Sequence, residues 1–387
     1  MTTTDQTPEA GRLKPAELRP WWVVSGVLAV VVAGIAGLVL GPAQIGTWDV
    51  LVELVDRLPF IDTESGLGER QQAIIWEIRL PRVVLGLLVG AMLATAGGAY
   101  QGVFRNPLAD PYLLGVAAGA GFGATVAIVS GLGDGIGIID PIPMMAFAGA
   151  LVAVVLTYLV GATGGRLDPV TSLVLAGVAV ASFFTAIQTF VQQRHSETIR
   201  QVYFFVLGQL RTAGWDEVTL LAPYTGVCLA VILAVRRRMD TLAVGDEEAG
   251  ALGLDVRRVR LVTVVAASLG TAAAVSVSGL IGFVGIIVPH TIRLLFGSSY
   301  RVILPLTVLF GGAFLVAADL VARLALEPAE MPIGVVTAFL GAPFFVLILR
   351  TTRRSRCPPS PAGTWSSPST GWRCSVASTC GCHRGVG

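Results

Sequence analysis

A succession of apolar runs, each near the ~20 residues that carry a helix across a bilayer, leaves this chain few options. They fall at 21–41, 82–103, 112–130, 141–161, 169–191, 217–235, 261–281, 284–297, 302–323 and 332–350. The reading is an all-α polytopic membrane protein with about ten transmembrane helices. Charge supports it, because only 13% of the residues are charged against about 25% in soluble domains. The 46 glycines suit helices that pack backbone to backbone in lipid. Spacings such as Gly86/Gly90, Gly98/Gly102, Gly115/Gly119 and Gly119/Gly123 mark the expected contacts. The run 284–297 is the weakest span, since Pro289, His290 and Arg293 interrupt it. It reads as a broken or partial helix, which protein or a cavity must cover.

Orientation follows from the basic residues flanking the spans. With the N-terminus inside, the inner segments carry Arg12, Lys14 and Arg19, then Arg105, Arg166, the cluster Arg236–Arg238 with Arg257, Arg258 and Arg260, then Arg301 and Arg350. Segments 42–78, 131–140 and 324–331 are acidic and read as outer, while 192–216 departs from the pattern with Arg194, Arg200 and Arg211. Both termini are then cytoplasmic: 1–20 is an N-terminal tail, 21–352 the membrane domain and 353–387 a C-terminal tail. The first run lacks a small-residue cleavage site and reads as an uncleaved span.

Between two spans lies a stretch of different character, Leu242 to Arg260. Gly245 and Asp246 can open a helix, and Asp246, Glu247 and Glu248 place negative charge at its positive end. Gly253 supplies a left-handed stop, and Asp255 can cap a second turn. Ala249, Ala251, Leu252 and Leu254 give an apolar surface between an acidic and a basic end. The pattern suits a rigid knob gripped by another protein; an ordinary charged loop on lipid headgroups is the competing reading.

The chain is as informative for the chemistry it lacks. A phosphate-binding loop needs G-x-x-x-x-G-K-[ST], and the single lysine, Lys14, stands in no such context. GAGFGA at Gly119–Ala124 follows no strand and lies inside a span. No H-E-x-x-H, paired-cysteine metal site or G-x-S-x-G pattern is present in the main body; Cys374, Cys380, Cys382 and His383 could be called a metal cluster, but they fall in the tail. A net charge of +2 argues for no nucleic-acid partner. Charges near the membrane are the exceptions worth noting. Asp319 and Arg323 stand four apart, suited to a local ion pair. Arg79 and Arg82 flank Pro81 at an outer mouth, placed to snorkel or to hold carboxylates of a soluble partner. Asn106, Pro107 and Asp110 form a tight inner turn. His290 reads as a helix-start residue.

Taken in order, Arg79–Leu–Pro–Arg82, FRNPLADPYLLG from Phe104 to Gly115, LAVGDEEAGALGL from Leu242 to Leu254, GFVGIIVPHTIR from Gly282 to Arg293 and AEMPIGVVTAFLGAPFF from Ala329 to Phe345 resemble the FecCD/BtuC-type permeases of ABC importers for iron–siderophores, haem or cobalamin. The resemblance covers about residues 20–352. It implies a ten-helix subunit of the cell membrane that forms a pore with a second permease, identical or paralogous. It also implies a cytoplasmic ATPase dimer, which uses the ATP, and an extracytoplasmic substrate-binding lipoprotein; the chain itself binds no cofactor. By position, Leu242, Gly245, Asp246, Glu247, Glu248, Ala249, Leu252 and Gly253 would enter the ATPase cleft. Arg79, Arg82 and Arg323 would meet glutamates of the binding protein. An ion-coupled secondary transporter is the alternative, favoured only by the interruption in 284–297. Ser355–Gly387 has no counterpart in the resemblance and reads as a disordered tail or a wrong-frame extension.

Overall fold

The computed structural model describes residues 18–41, 45–56, 66–132, 140–163, 169–210, 214–326 and 329–354, with 372–374 and 382–384. The chain divides into two compact units, 1–338 and 339–387.

The first unit is helical. Helix α1 (Pro20–Val39) is followed by two short helices, α2 (Thr47–Asp56) and α3 (Glu69–Ala73). A π-helical turn at Ile74–Arg79 then runs without a break into α4 (Leu80–Val103). After a 3₁₀ turn at Pro111–Leu114 come α5 (Val116–Val129), α6 (Pro141–Ala162), α7 (Pro169–Arg194), α8 (Ile199–Leu207) and α9 (Asp216–Leu242). The short α10 (Asp246–Ala251), α11 (Val256–Ser278), α12 (Val284–Phe296), α13 (Tyr300–Leu324) and α14 (Ile333–Arg354) complete the set, α14 passing into the second unit. Among the described residues, seven helical runs are long and apolar enough to span a bilayer: α1, 69–103, α6, α7, α9, α11 and α13. Three shorter apolar helices, α5, α12 and 333–348 of α14, coincide with the remaining expected spans.

Burial separates an inner set of helices from an outer one. In the most apolar window of 69–103, 83% of residues are buried, against 17% in α1 and 22% in α6. Helix α4 therefore forms the centre, packed by α9, α11, α12 and α13. Val24, Leu28, Val152 and Leu159 are exposed on the outer helices, as side chains that face lipid tails should be. Close approach depends on glycine. A Cβ at Gly90 would strike the carbonyl of Gly311, and one at Gly119 that of Gly149. The two backbones touch there, as small residues permit.

The break expected inside 284–297 lies instead before it. Helix α12 is continuous through Pro289, and the chain is unwound from Gly279 to Phe283, with positive φ at both ends of that stretch (67° each). Proline cannot donate to the carbonyl four residues back, and here Gln101 Nε2 donates to that carbonyl, Gly285 O, at 3.2 Å. The proline thus leaves no orphan acceptor. Unwound backbone at membrane depth needs the same service. The Tyr112 hydroxyl donates to Ile281 O (2.8 Å) and accepts from Ile281 N (3.0 Å). Gln209 N donates to Ser278 O at 2.8 Å, and Leu280 N to Phe205 O at 3.3 Å.

Residues 1–17, most of the expected N-terminal tail, lie outside the described residues. In the C-terminal tail, 353–354 end α14, and beyond them only β1 (Trp372–Cys374) and β2 (Cys382–Arg384) are described, paired antiparallel with Arg373 opposite His383.

Candidate functional site

The two ends of the helical unit differ in how they use charge. At the end where α4 finishes, α9 leads into α10, and the junction is a rigid knob. Leu242 and Ala249 are fully buried and anchor it. The Glu248 carboxylate folds back over Gly245, so a side chain at that N-cap position would displace it. Gly253 has φ 80°. Leu254 N donates to Ala249 O at 3.0 Å and Gly253 N to Gly250 O at 2.9 Å, the hydrogen-bond pattern that ends helices at a left-handed glycine. The Asp255 side chain then accepts from Arg258 N at 3.0 Å, starting α11.

Asp246 does more than favour the helix dipole. Its carboxylate accepts from Arg105 Nη2 at 2.6 Å and from Arg260 Nη2 at 2.9 Å. Arg105 has φ 47° and belongs to the turn after α4, so one acid ties that turn to the knob and to α11. The turn has its own supports. Asn106 Oδ1 accepts from Leu108 N (2.9 Å), and Asp110 Oδ1 from Tyr112 N (2.8 Å). Pro107 is exposed beside them. Partial burial lifts the Asp110 carboxyl to about 6, and the Tyr112 N–H restrains the rise. Glu247 is exposed, while Val244 and Leu252 are 68% and 72% exposed. A further support was not anticipated: Asp240 of α9 accepts from Tyr300 N at 2.6 Å and from Ser299 Oγ at 2.8 Å, capping α13.

At the opposite end the arginines point inward. Arg79 Nη1 donates to Leu38 O at 2.6 Å and Val39 O at 3.1 Å. Arg323 donates to Gly37 O at 3.2 Å and Leu40 O at 3.4 Å. Both satisfy the last carbonyls of α1, where a helix presents acceptors and partial negative charge. Both are buried, at 4% and 5% exposed. Asp319 lies between two cations, 2.9 Å from Arg82 and 3.0 Å from Arg323. The local pair expected from the i,i+4 spacing is therefore present, and Arg82 joins it. Arg82 also donates to Glu330 at 3.1 Å. Of the three arginines expected to face a binding protein, Arg82 alone lines an open pocket, together with Glu197, Arg200, Gln209 and Glu330. Sequence reasoning missed Glu53, which is buried and accepts from Gln72 Nε2 (3.2 Å) and Trp76 Nε1 (2.8 Å).

Apolar outer helices, a buried central helix, unwound backbone sheltered by side chains and a fixed charged knob define a multi-pass membrane protein of the permease class. The chain belongs to the FecCD transport family, whose model matches residues 29–351. It is 46% identical over 287 residues to the cobalamin import system permease protein BtuC of Halobacterium salinarum, covering 74% of this chain and 76% of that one. It is 34% identical to the Fe(3+)-citrate import system permease protein YfmD of Bacillus subtilis, over 78% of this chain and 88% of that one. Among solved structures, an inward-facing conformation of a putative metal-chelate type ABC transporter superposes with a TM-score of 0.74 at 29% identity, covering 86% of this chain and 100% of that chain.

Proposed function

We propose that this chain is the membrane-spanning permease subunit of an ATP-driven importer whose cargo is a metal chelate: a ferric siderophore, haem or cobalamin. The observation that carries the reading is the fixed knob at 245–255, whose Asp246 bridges Arg105 and Arg260 while Leu252 stands bare. It is supported by membership of the FecCD family and by the import permeases among the relatives.

In this reading the knob end is cytoplasmic and sits in a cleft of an ATPase dimer. Leu242, Ala249 and Gly253 set its shape; Asp246, Glu247, Glu248 and Leu252 carry the contact. ATP belongs to those subunits, and this chain holds no cofactor. Closure of the ATPases moves the knob, and through Asp246 it moves the 104–115 turn and α11 together. A second permease completes the pore, and the pair alternates between two arrangements that the ATPases and cargo bias differently. The arginine end faces the other side of the cell membrane, where a binding lipoprotein docks against the rim around Arg82. There a carboxylate of the binding protein competes with Glu330, while Arg79 and Arg323 hold the rim in shape.

The test is uptake into proteoliposomes carrying this chain, its companion permease and ATPase, and the binding protein. Uptake of a cobalamin or ferric-chelate probe should require ATP and persist after ionophores collapse the ion gradients. Uptake driven by a proton or sodium gradient without ATP contradicts the proposal.

A further inference from the structure

A cavity of about 390 Å³ opens between α9 and α11 where α11 begins, beside the turn that ends the knob. Val235, Leu254, Val259 and Val262 give it an apolar lining, and Arg238 and Arg258 stand at its walls. Both arginines are exposed. Neither pairs with a carboxylate among the described residues, in contrast to Arg105, Arg260 and Arg301 at the same end. The one acid on the lining is Asp255, whose carboxylate accepts from Arg258 N at 3.0 Å. Two guanidiniums against one carboxylate leave the cavity cationic, and each guanidinium offers a fork of donors matched to phosphate oxygens.

Away from the knob, both helices continue the cavity as apolar rows. Val227, Val231, Val235 and Arg238 of α9 follow i, i+4, i+8, i+11 spacing, and Arg258, Val262, Val265 and Leu269 of α11 follow i, i+4, i+7, i+11. Each row keeps to one side of its helix and carries its arginine at the knob end. Val227 and Val265 are 63% and 53% exposed, and Val231, Val262 and Leu269 are half-buried. Because α9 packs on α11 and both rows line the cavity, they leave it side by side as one trough. An acyl chain alone would leave the two arginines without a counter-ion. A soluble polyanion would make no use of the apolar trough. A molecule with a phosphate at one end and a hydrocarbon chain at the other satisfies both.

We infer that this cavity is a binding site for an anionic phospholipid, its phosphate held by Arg238 and Arg258 and an acyl chain lying along the Val231 and Val265 rows. Basic pockets between membrane helices take anionic headgroups in this way. The site is independent of the cargo, and it uses none of the side chains proposed to carry the ATPase contact. Gly253, Leu254 and Asp255 form part of its wall, so a bound headgroup packs against the turn that ends the knob and braces it from the membrane.

The experiment titrates the assembled transporter in detergent micelles with dioleoylphosphatidylglycerol and, separately, with dioleoylphosphatidylcholine, counting retained lipid by native mass spectrometry. Phosphatidylglycerol should be retained in preference, with a single high-affinity copy per permease chain. Arg238→Gln with Arg258→Gln should weaken its binding at least about tenfold, from lost charge-assisted hydrogen bonds. Arg237→Gln with Arg257→Gln removes the same charge from exposed positions that do not line the cavity and should weaken it far less. Val262→Phe fills the cavity without changing charge and should weaken it severalfold; it carries the test if the Arg238 and Arg258 double variant fails to assemble. Equal retention of the two lipids, or equal losses from the two arginine pairs, overturns the inference in favour of a diffuse basic surface. Displacement of the lipid by glycerol 3-phosphate assigns the cavity to a soluble phosphate and overturns it too. So does an Arg238 and Arg258 variant that keeps the lipid and loses the ATPase, which gives those arginines to the partner. None of these measurements involves cargo or uptake, so each of these failures leaves the import reading standing.

Discussion

The two ends of this permease hold similar side chains and use them oppositely. At the knob end, charges are paired near the surface: Arg105 and Asp246 are 39% and 40% exposed across their bond. At the other end, Asp319 and Arg323 are 4% and 5% exposed and pair with one another, with Arg82 and with the carbonyls that close α1. Exposed pairs contribute little to stability, whereas a charge stranded in a buried pair costs a great deal. The knob is therefore free to serve a partner, and the arginine end is committed to holding α1, α4 and α13 together.

The largest effect expected from this contrast is at Asp319. Asp319→Ala leaves Arg82 and Arg323 without their shared acid and should cost about 3–5 kcal/mol, read as a lowered unfolding midpoint of the purified protein. Asp246→Ala should cost less, about 1–2 kcal/mol, because Arg105 can turn to water while Arg260 is largely covered, yet abolish most ATP-driven uptake. Equal stability losses at the two sites would erase the distinction. Gly119→Val, which pushes a side chain into Gly149, should cost about 1–3 kcal/mol by overpacking, measurable in the same unfolding series.

A subtler effect concerns pH. Asp110 titrates near 6 in the fold against 3.8 for the free group. Its folded form binds the proton more tightly, so its contribution favours the fold below about pH 4, is lost as pH rises to about 6 and is then constant. Asp110→Asn keeps the acceptor for Tyr112 N and should flatten the dependence of the unfolding temperature over that window. A slope unchanged by the substitution would place the titration elsewhere. The smallest effect is at Arg82: Arg82→Glu should weaken binding-protein docking, and more so at low salt, in a pull-down across ionic strength.

Much of the architecture was legible because span length and hydropathy are local properties. All ten apolar runs became helices, and the knob was readable from Gly245, Asp246, Gly253 and Asp255, whose roles depend on near neighbours. What escaped was set by distant ones. Arg79 reads as an outward arginine until Leu38 and Val39 are seen to lie against it. The broken helix was sought at Pro289, the louder signal, although Gln101 removes the penalty there and Gly279 takes the bend. The helices α2 and α8 fell in stretches read as loops, because neither is long enough to register as a span.

The account depends most on the side of the membrane at which the knob lies and on what it touches. Leu252→Cys, introduced into the assembled transporter, measures both. In inside-out vesicles it should react with a membrane-impermeant maleimide and crosslink to the ATPase, and in intact cells it should stay unlabelled. Labelling from outside the cell, with no ATPase crosslink in either preparation, would contradict the account.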